Sequence, residues 1–198
     1  MSKDILKKAE SALEKGEIIC YPTDTIYGLG ADITNINAVK KIFNIKNRPI
    51  NLPLSVAVSD INSLEKIAFI NEKSRILINS FLPGQLCILL KKKKTVPDIV
   101  TSNLEKVAVR IPDNKTALEL IRNFGPITCT SANIHGEKTP DEIKYIRNIF
   151  KDSVSLYIDE GILSSKPSTI VDATSKNLKI IRKGVVRKEE IFKVINDE

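Results

Sequence analysis

Tyr21-Pro-Thr-Asp-Thr-Ile-Tyr-Gly-Leu-Gly30 packs three hydroxyls, a carboxylate and two glycines directly behind a proline. The residues before it, Gly16-Glu-Ile-Ile-Cys20, read as a short buried strand after a glycine break. The proline ends that strand's ladder, leaving hydrogen-bonding side chains and open backbone N–H groups at the strand's end. In α/β proteins ligands bind at such places. A plain turn rich in Thr and Gly has the same local composition, so the rest of the chain has to decide.

The chain has 198 residues, 42% hydrophobic and 28% charged, which fits one globular domain spanning 1–198. It contains no apolar run of about 18 residues, so a transmembrane helix is excluded, and Met1–Glu10 lacks the apolar core of a signal peptide. Cys20, Cys87 and Cys129 lie far apart in apolar runs, which favours buried reduced thiols over disulfides or a metal site. A cytoplasmic protein without membrane contact is expected. The formal charge is +7. That surplus suits a polyphosphate or nucleic-acid partner, although Lys91-Lys-Lys-Lys94 reads most simply as a solvated turn after a strand.

Apolar periodicity predicts helices over 3–15, 35–45 (capped by Asn35), two within 60–82, then 115–124, 140–150 and 188–195. Strands are predicted at 17–21, 54–58, 85–91, 106–111, 127–130, 154–159, 168–173 and 178–182. Strands and helices alternate early and strands cluster late. The fold class that follows is α/β, a single-domain twisted mixed sheet covered by helices.

Much standard catalytic equipment is missing. There is one histidine, His135, and no C-x-x-C, H-E-x-x-H, P-loop or G-x-G-x-x-G pattern. An enzyme built from these residues works by positioning and charge stabilisation. Several polar groupings remain. They are the Thr23/Asp24/Thr25/Tyr27 loop, Lys46-Asn-Arg48-Pro49, Arg110 inside the apolar Val107–Pro112 run, and Thr130-Ser131-Ala-Asn133. Pro167-Ser168-Thr169-Ile-Val-Asp172 and Arg182-Lys-Gly184 lie at strand edges. A buried Arg110 needs a partner, which is either a structural carboxylate or a ligand's.

Taken in order, these motifs resemble the YrdC-like family of L-threonylcarbamoyladenylate synthases. The resemblance runs from about Lys15 to about Ile191. It rests on K-x-R (Lys46, Arg48), S-x-N (Ser131, Asn133), P-T-[DE]-T-x-Y-G-L (22–29), P-G (83–84), A-V-R-x-P (108–112), P-S-T-[IV] (167–170) and R-x-G (182–184). It implies the short, single-domain type with a basic concave surface. The implied reaction converts L-threonine, bicarbonate and ATP into threonylcarbamoyl-AMP, pyrophosphate and water. That product supplies the modification of adenosine 37 in tRNA. Mg²⁺ would accompany ATP, and downstream threonylcarbamoyl-transfer proteins would take the adenylate.

By motif position the resemblance assigns Thr25, Arg110 and Ser168 to L-threonine. It assigns Lys46, Arg48, Ser131, Asn133, Thr139 and Arg182 to ATP, with Lys46 and Arg48 as charge stabilisers on the phosphates and no covalent nucleophile. Thr23 supports the loop. Two positions depart from the family pattern: Leu52 replaces an asparagine and Ala57 a histidine, so binding is weakened or the substrate altered. His135 reads as a loop residue. The alternative function is a non-catalytic double-stranded RNA-binding or ribosome-assembly factor using the same basic surface, with tRNA or double-stranded RNA as partner. An arginine embedded in an apolar strand favours a small buried anion over an exposed RNA backbone. Phosphate-driven RNA binding would also fall steeply with salt.

Overall fold

The computed structural model describes residues 3–175 and 177–197. Helix α1 (Lys3–Glu14) buries Leu6, Ala9, Ala12 and Leu13, one stripe at helical spacing. Strand β1 (Ile19–Tyr21) then pairs antiparallel with β2 (Gly28–Gly30), so the 22–27 loop is the tip of a hairpin. Strand β2 is absent from the sequence reading because its glycines look like turn residues. In the fold they make room for the Tyr21 ring, whose Cε1 lies only 3.0 Å from where a Cβ on Gly30 would stand.

Helix α2 (Ile36–Ile45) starts where the Asn35 side chain accepts from the N–H groups of Asn37 and Ala38. There follow β3 (Ser55–Ala57), α3 (Ile61–Ile67), β4 (Ala68–Phe69) and α4 (Glu72–Phe81). Asp60 caps α3, and Asn71 with Ser74 forms a capping box on α4. Strand β5 (Leu86–Lys92) leads through the short α5 (Asp98–Thr101) to β6 (Lys106–Arg110) and α6 (Lys115–Phe124). The chain continues through β7 (Ile127–Thr128), β8 (Thr130–Ser131), α7 (Ile143–Phe150), β9 (Leu156–Tyr157), β10 (Thr169–Asp172), β11 (Lys179–Arg182) and α8 (Lys188–Asn196).

The expected mixed α/β architecture is present, and its strands divide between two sheets. One has the order β8-β2-β1-β9; the other has β11-β10-β5-β6-β3-β7, with β4 beside β5. The run expected as one strand at 127–130 extends to Ser131 and changes sheets at Cys129. Its first half pairs with β3 and its second with β2. The Lys91–Lys94 turn also differs from expectation. Strand β5 continues through Lys92, whose ammonium is buried against Asp98 and the Val96 carbonyl.

Alternation decides what each face of the larger sheet meets. Val56, Ile88, Leu90, Val107, Val109 and Val171 point into the main core beneath α2, α3, α4 and α7. The opposite face carries Ser55, Leu89, Lys106, Ala108, Arg110, Ile170 and Asp172, which line a cavity. A second core, built by α1 and α6 on Ile19, Tyr21 and Ile127, closes the other end. The cavity therefore lies where the two sheets part company.

Candidate functional site

The cavity has a volume of about 440 Å³, and Thr25, Arg48, Arg110, Ser131, Ser168 and Arg182 all contribute to its wall. Residues scattered over some 160 positions of sequence thus meet in one place, each brought by a different element. Lys46 and Asn133 stand behind Ser131. Thr139 is half-buried on the segment before α7 and is not part of the wall.

Thr23 organises the hairpin tip. Its hydroxyl donates to the Ile26 carbonyl at 2.7 Å and accepts from the N–H groups of Thr25 and Ile26, and it lies 3.0 Å from Thr25 Oγ1. Tyr27 ties the far side of the tip to the chain beyond β9. Its hydroxyl donates to the Gly161 carbonyl at 2.7 Å and accepts from the Glu160 N–H at 2.9 Å.

Arg110 enters from β6. It pairs with Asp24 at 2.5 Å and donates to Thr25 Oγ1 at 3.2 Å and to the Gly84 carbonyl at 3.3 Å. The structural carboxylate left open by the sequence thus exists, and it comes from the hairpin tip. Burial pushes the Asp24 carboxyl above its ordinary value, against the pull of Arg110. The pair is nonetheless incomplete. Three buried side-chain polar atoms lack a partner among the described residues: Asp24 Oδ2, Arg110 Nε and Ser168 Oγ. Leaving such an atom unpaired costs about 1–3 kcal/mol; Arg110 and Ser168 line the cavity, and Asp24 lies behind them as the partner of Arg110.

Two more arginines flank the cavity, each clamped by backbone carbonyls. Arg48 donates to the carbonyls of Leu52 at 3.0 Å and Pro53 at 2.8 Å. Arg182 donates twice to the Ser168 carbonyl, at 3.2 and 2.8 Å. Neither has a carboxylate within ion-pair distance among the described residues. Burial lowers the pKa of both, and the Arg182 charge lowers that of Arg48 further. Two like charges held near one another by carbonyls, without counter-ion, make an anion-binding surface. The R-x-G motif has a backbone reason as well. A Cβ on Gly184 would collide with Pro167 O, Ser168 C and Thr169 N, so only glycine lets β11's exit lie against Ser168.

Lys46 is 1% exposed and spends its ammonium on the protein. It donates to the Ser131 carbonyl, to the Asn133 carbonyl at 2.7 Å and to Asn133 Oδ1 at 3.3 Å. Burial, with Arg48 nearby, pushes its pKa down to about 7. The K-x-R and S-x-N motifs are therefore one assembly in which the lysine holds the second motif's loop. His135 belongs to it too, since its N–H donates to the Lys46 carbonyl at 2.7 Å and its Nδ1 lies 3.4 Å from Arg48 Nη1. Of the two departures, Leu52 contributes a backbone carbonyl to Arg48, and Ala57 is buried in register with Arg110.

Lys106 and Cys129 line the cavity without having been singled out as site residues by the sequence, and Asp172, the end of the 167–172 grouping, lines it with them. Lys106 pairs with Asp172 at 2.8 Å. Period-two counting along β6 would have found Lys106, since it shares a strand face with Arg110. Cys129 could not be found that way, because it sits at the change of sheet.

Comparison with known proteins agrees with this construction. The Sua5/YciO/YrdC family model, described as "Telomere recombination", matches residues 11–184. A putative threonylcarbamoyl-AMP synthase of Methanocaldococcus jannaschii is 40% identical over 185 residues, covering 93% of this chain and 87% of the relative. The structure of Pyrococcus abyssi Sua5 complexed with L-threonine is 36% identical with a TM-score of 0.91, covering 96% of this chain and 57% of that one. Escherichia coli YciO is 28% identical with a TM-score of 0.89, covering 96% and 94%. The chain thus spans just over half the length of the Pyrococcus protein and most of the other two. With a family model over most of its length and the same fold around the same motifs, the chain belongs to the Sua5/YciO/YrdC family.

Proposed function

We propose that this protein is an L-threonylcarbamoyl-AMP synthase, converting L-threonine, bicarbonate and ATP into threonylcarbamoyl-AMP, pyrophosphate and water. One observation carries the reading. Among the described residues, two of the three buried side-chain polar atoms without partners belong to Arg110 and Ser168, in the wall of a cavity that also holds two arginines without carboxylate partners. Such a site asks for one small polar ligand and one polyanion together. The named activity of the Methanocaldococcus relative and the threonine complex of Pyrococcus Sua5 support the same pairing.

In this reading the Arg110 guanidinium, with Thr25 and Ser168, holds the threonine carboxylate and hydroxyl. The threonine nitrogen captures CO2 derived from bicarbonate, and a carbamate oxygen displaces pyrophosphate at the α-phosphorus. Arg48 and Arg182 neutralise the charge that develops on the phosphates. Lys46 acts from behind, keeping Ser131 and Asn133 in place for the nucleotide, with Thr139 reached from the neighbouring segment. Mg²⁺ would be supplied with ATP and would neutralise phosphate charge. That fits the lining, whose carboxylate, Asp172, is already occupied by Lys106, Thr174 N–H and Thr174 Oγ1. The adenylate then passes to proteins that transfer the threonylcarbamoyl group to tRNA.

The test is incubation with Mg·ATP, labelled bicarbonate and each amino acid in turn, following pyrophosphate and labelled adenylate. Threonine-dependent product is the expected result. No product with any amino acid, together with salt-sensitive RNA binding, would replace this reading by the RNA-binding one.

A further inference from the structure

Outside the cavity wall, the β4–β5 margin of the larger sheet gathers lysines around one exposed aromatic ring, and the synthase reading uses none of them. We propose that this margin, formed by Lys66, Phe69, Lys91, Lys93 and Lys94, docks an acidic protein segment that also presents an apolar side chain. The proposal is independent of the reaction assigned to the cavity.

The margin is firmly built. Phe69 on β4 lies opposite Lys91 on β5, and Ala68 lies opposite Lys92. The Lys93 N–H donates to the Ile67 carbonyl at 2.8 Å, and the Thr95 hydroxyl donates to the Lys66 carbonyl at 2.8 Å. The Lys93 ammonium adds a hydrogen bond to the Glu65 carbonyl. Above this frame the ammoniums of Lys91 and Lys93 stand over the Phe69 ring, 5.9 and 5.2 Å from its centroid. None of the four lysines has a carboxylate within ion-pair distance among the described residues. Glu65 is taken by Arg75 and Asp98 by Lys92.

Solvation alone does not account for the arrangement. Lys91 stands directly opposite Lys106 on β6, and like charges so placed are unfavourable. Asp172 answers Lys106, whereas nothing of opposite charge answers Lys91. Guarding a free sheet edge is not the reason either, because Lys91 is paired on both sides, with Phe69 and with Lys106. The Phe69 side of the patch is apolar and the residue is 53% exposed. A positive surface with an apolar centre is complementary to carboxylates set around an apolar side chain. A nucleic-acid strand fits less well. A base needs a free ring to stack on, and this ring already carries two ammoniums, with no second aromatic among the patch residues. Since Lys91 shares a sheet face with Lys106, which lines the cavity, a segment docked here lies beside the cavity.

The test is fluorescence anisotropy with three probes: a short Glu-rich peptide carrying one central leucine, the same peptide without the leucine, and a short single-stranded RNA. Wild type should bind the leucine-bearing peptide most tightly. Lys91→Glu with Lys94→Glu should weaken that binding at least about 10-fold, as juxtaposed like charges do. Lys7→Glu with Lys8→Glu makes the same change in net charge on the exposed face of α1 and should leave it nearly unchanged. Phe69→Ala should erase the preference for leucine. Equal losses in the two double variants would reduce the effect to overall charge and overturn the proposal. A wild type that ignores the leucine, or binds neither peptide, overturns it without any variant. Tighter binding of the RNA, lost in Lys91→Glu with Lys94→Glu, would make the margin a nucleic-acid surface instead.

Discussion

Replacing Gly184 by alanine adds one carbon at a place where the structure has no room for it. The new Cβ would stand within 3.0 Å of three backbone atoms, Pro167 O, Ser168 C and Thr169 N. None of these is the end of a flexible side chain, so the two segments must separate. Restoring ordinary contact means a displacement of roughly 1 Å, and errors of that size at a reacting centre cost about 100-fold. The strain itself should cost about 1–3 kcal/mol, as overpacking generally does. For a chain of this size that lowers Tm by roughly 2–12 °C. The displaced residue is Ser168, whose hydroxyl lacks a partner and whose carbonyl clamps Arg182. Both halves of the site should therefore suffer, with weaker threonine binding and slower pyrophosphate release. Leu13→Ala is the control. It removes a buried side chain from the second core, away from the cavity, and should cost about 2–5 kcal/mol with threonine binding intact. Differential scanning calorimetry and threonine titration on both variants settle the matter. A Gly184→Ala protein with wild-type Tm and wild-type threonine affinity would refute the claim that this backbone approach positions the site.

Three further perturbations follow from the same contacts. Arg110→Ala strands a buried Asp24 carboxylate and should destabilise the fold by about 3–5 kcal/mol, besides abolishing threonine use; an unchanged urea midpoint would contradict the buried pair. Lys46→Met should alter the pH dependence of stability. The lysine's pKa is lowered from 10.5 to about 7 in the fold, so between those values the unfolded chain binds more protons. Wild-type stability relative to Lys46→Met should therefore rise with pH across that interval, by at most about 1.4 kcal/mol per unit, and should be flat below pH 7. Urea unfolding from pH 6.5 to 9.5 measures that difference, and a difference that falls with pH overturns the assignment. Tyr27→Phe strips a hydroxyl from Gly161 O and Glu160 N, and should cost about 1–3 kcal/mol by the same measurement.

What the sequence made legible, and what it hid, separates along a physical line. Helix positions followed from periodicity, with Asn35 read as a cap, and the fold adds Asp60 and Asn114 as caps of α3 and α6. The strand written in glycine was missed, and the strand predicted at 85–91 stopped one lysine short. Gly28–Gly30 is a strand because Tyr21 covers it from across the hairpin, and Lys92 belongs to β5 because Asp98 meets its charge. Both are tertiary facts that no window of local sequence contains. The division into two sheets was hidden for the same reason. It depends on Cys129, where pairing passes from β3 to β2 within five residues.

The site divides similarly, and the division bears on how such sites should be read. Arg110 stood out because a charge inside an apolar strand must be answered by something. Its sequence could say that a partner exists; only the fold shows that the partner is Asp24 and that it answers the arginine incompletely. Lys46 and Arg48 stood out as a pair of cations, and the fold gives them opposite situations. Lys46 is saturated by the carbonyls of Ser131 and Asn133, whereas Arg48 is clamped by carbonyls and faces Arg182 without a counter-ion. The chemical difference between the two lies entirely in what surrounds them. A lysine buried among carbonyls stiffens the wall, while an arginine without a counter-ion at the cavity still has charge to give to a ligand. Residue type and spacing therefore identify which groups converge, and the fold identifies which of them are answered by the protein and which keep an unanswered charge.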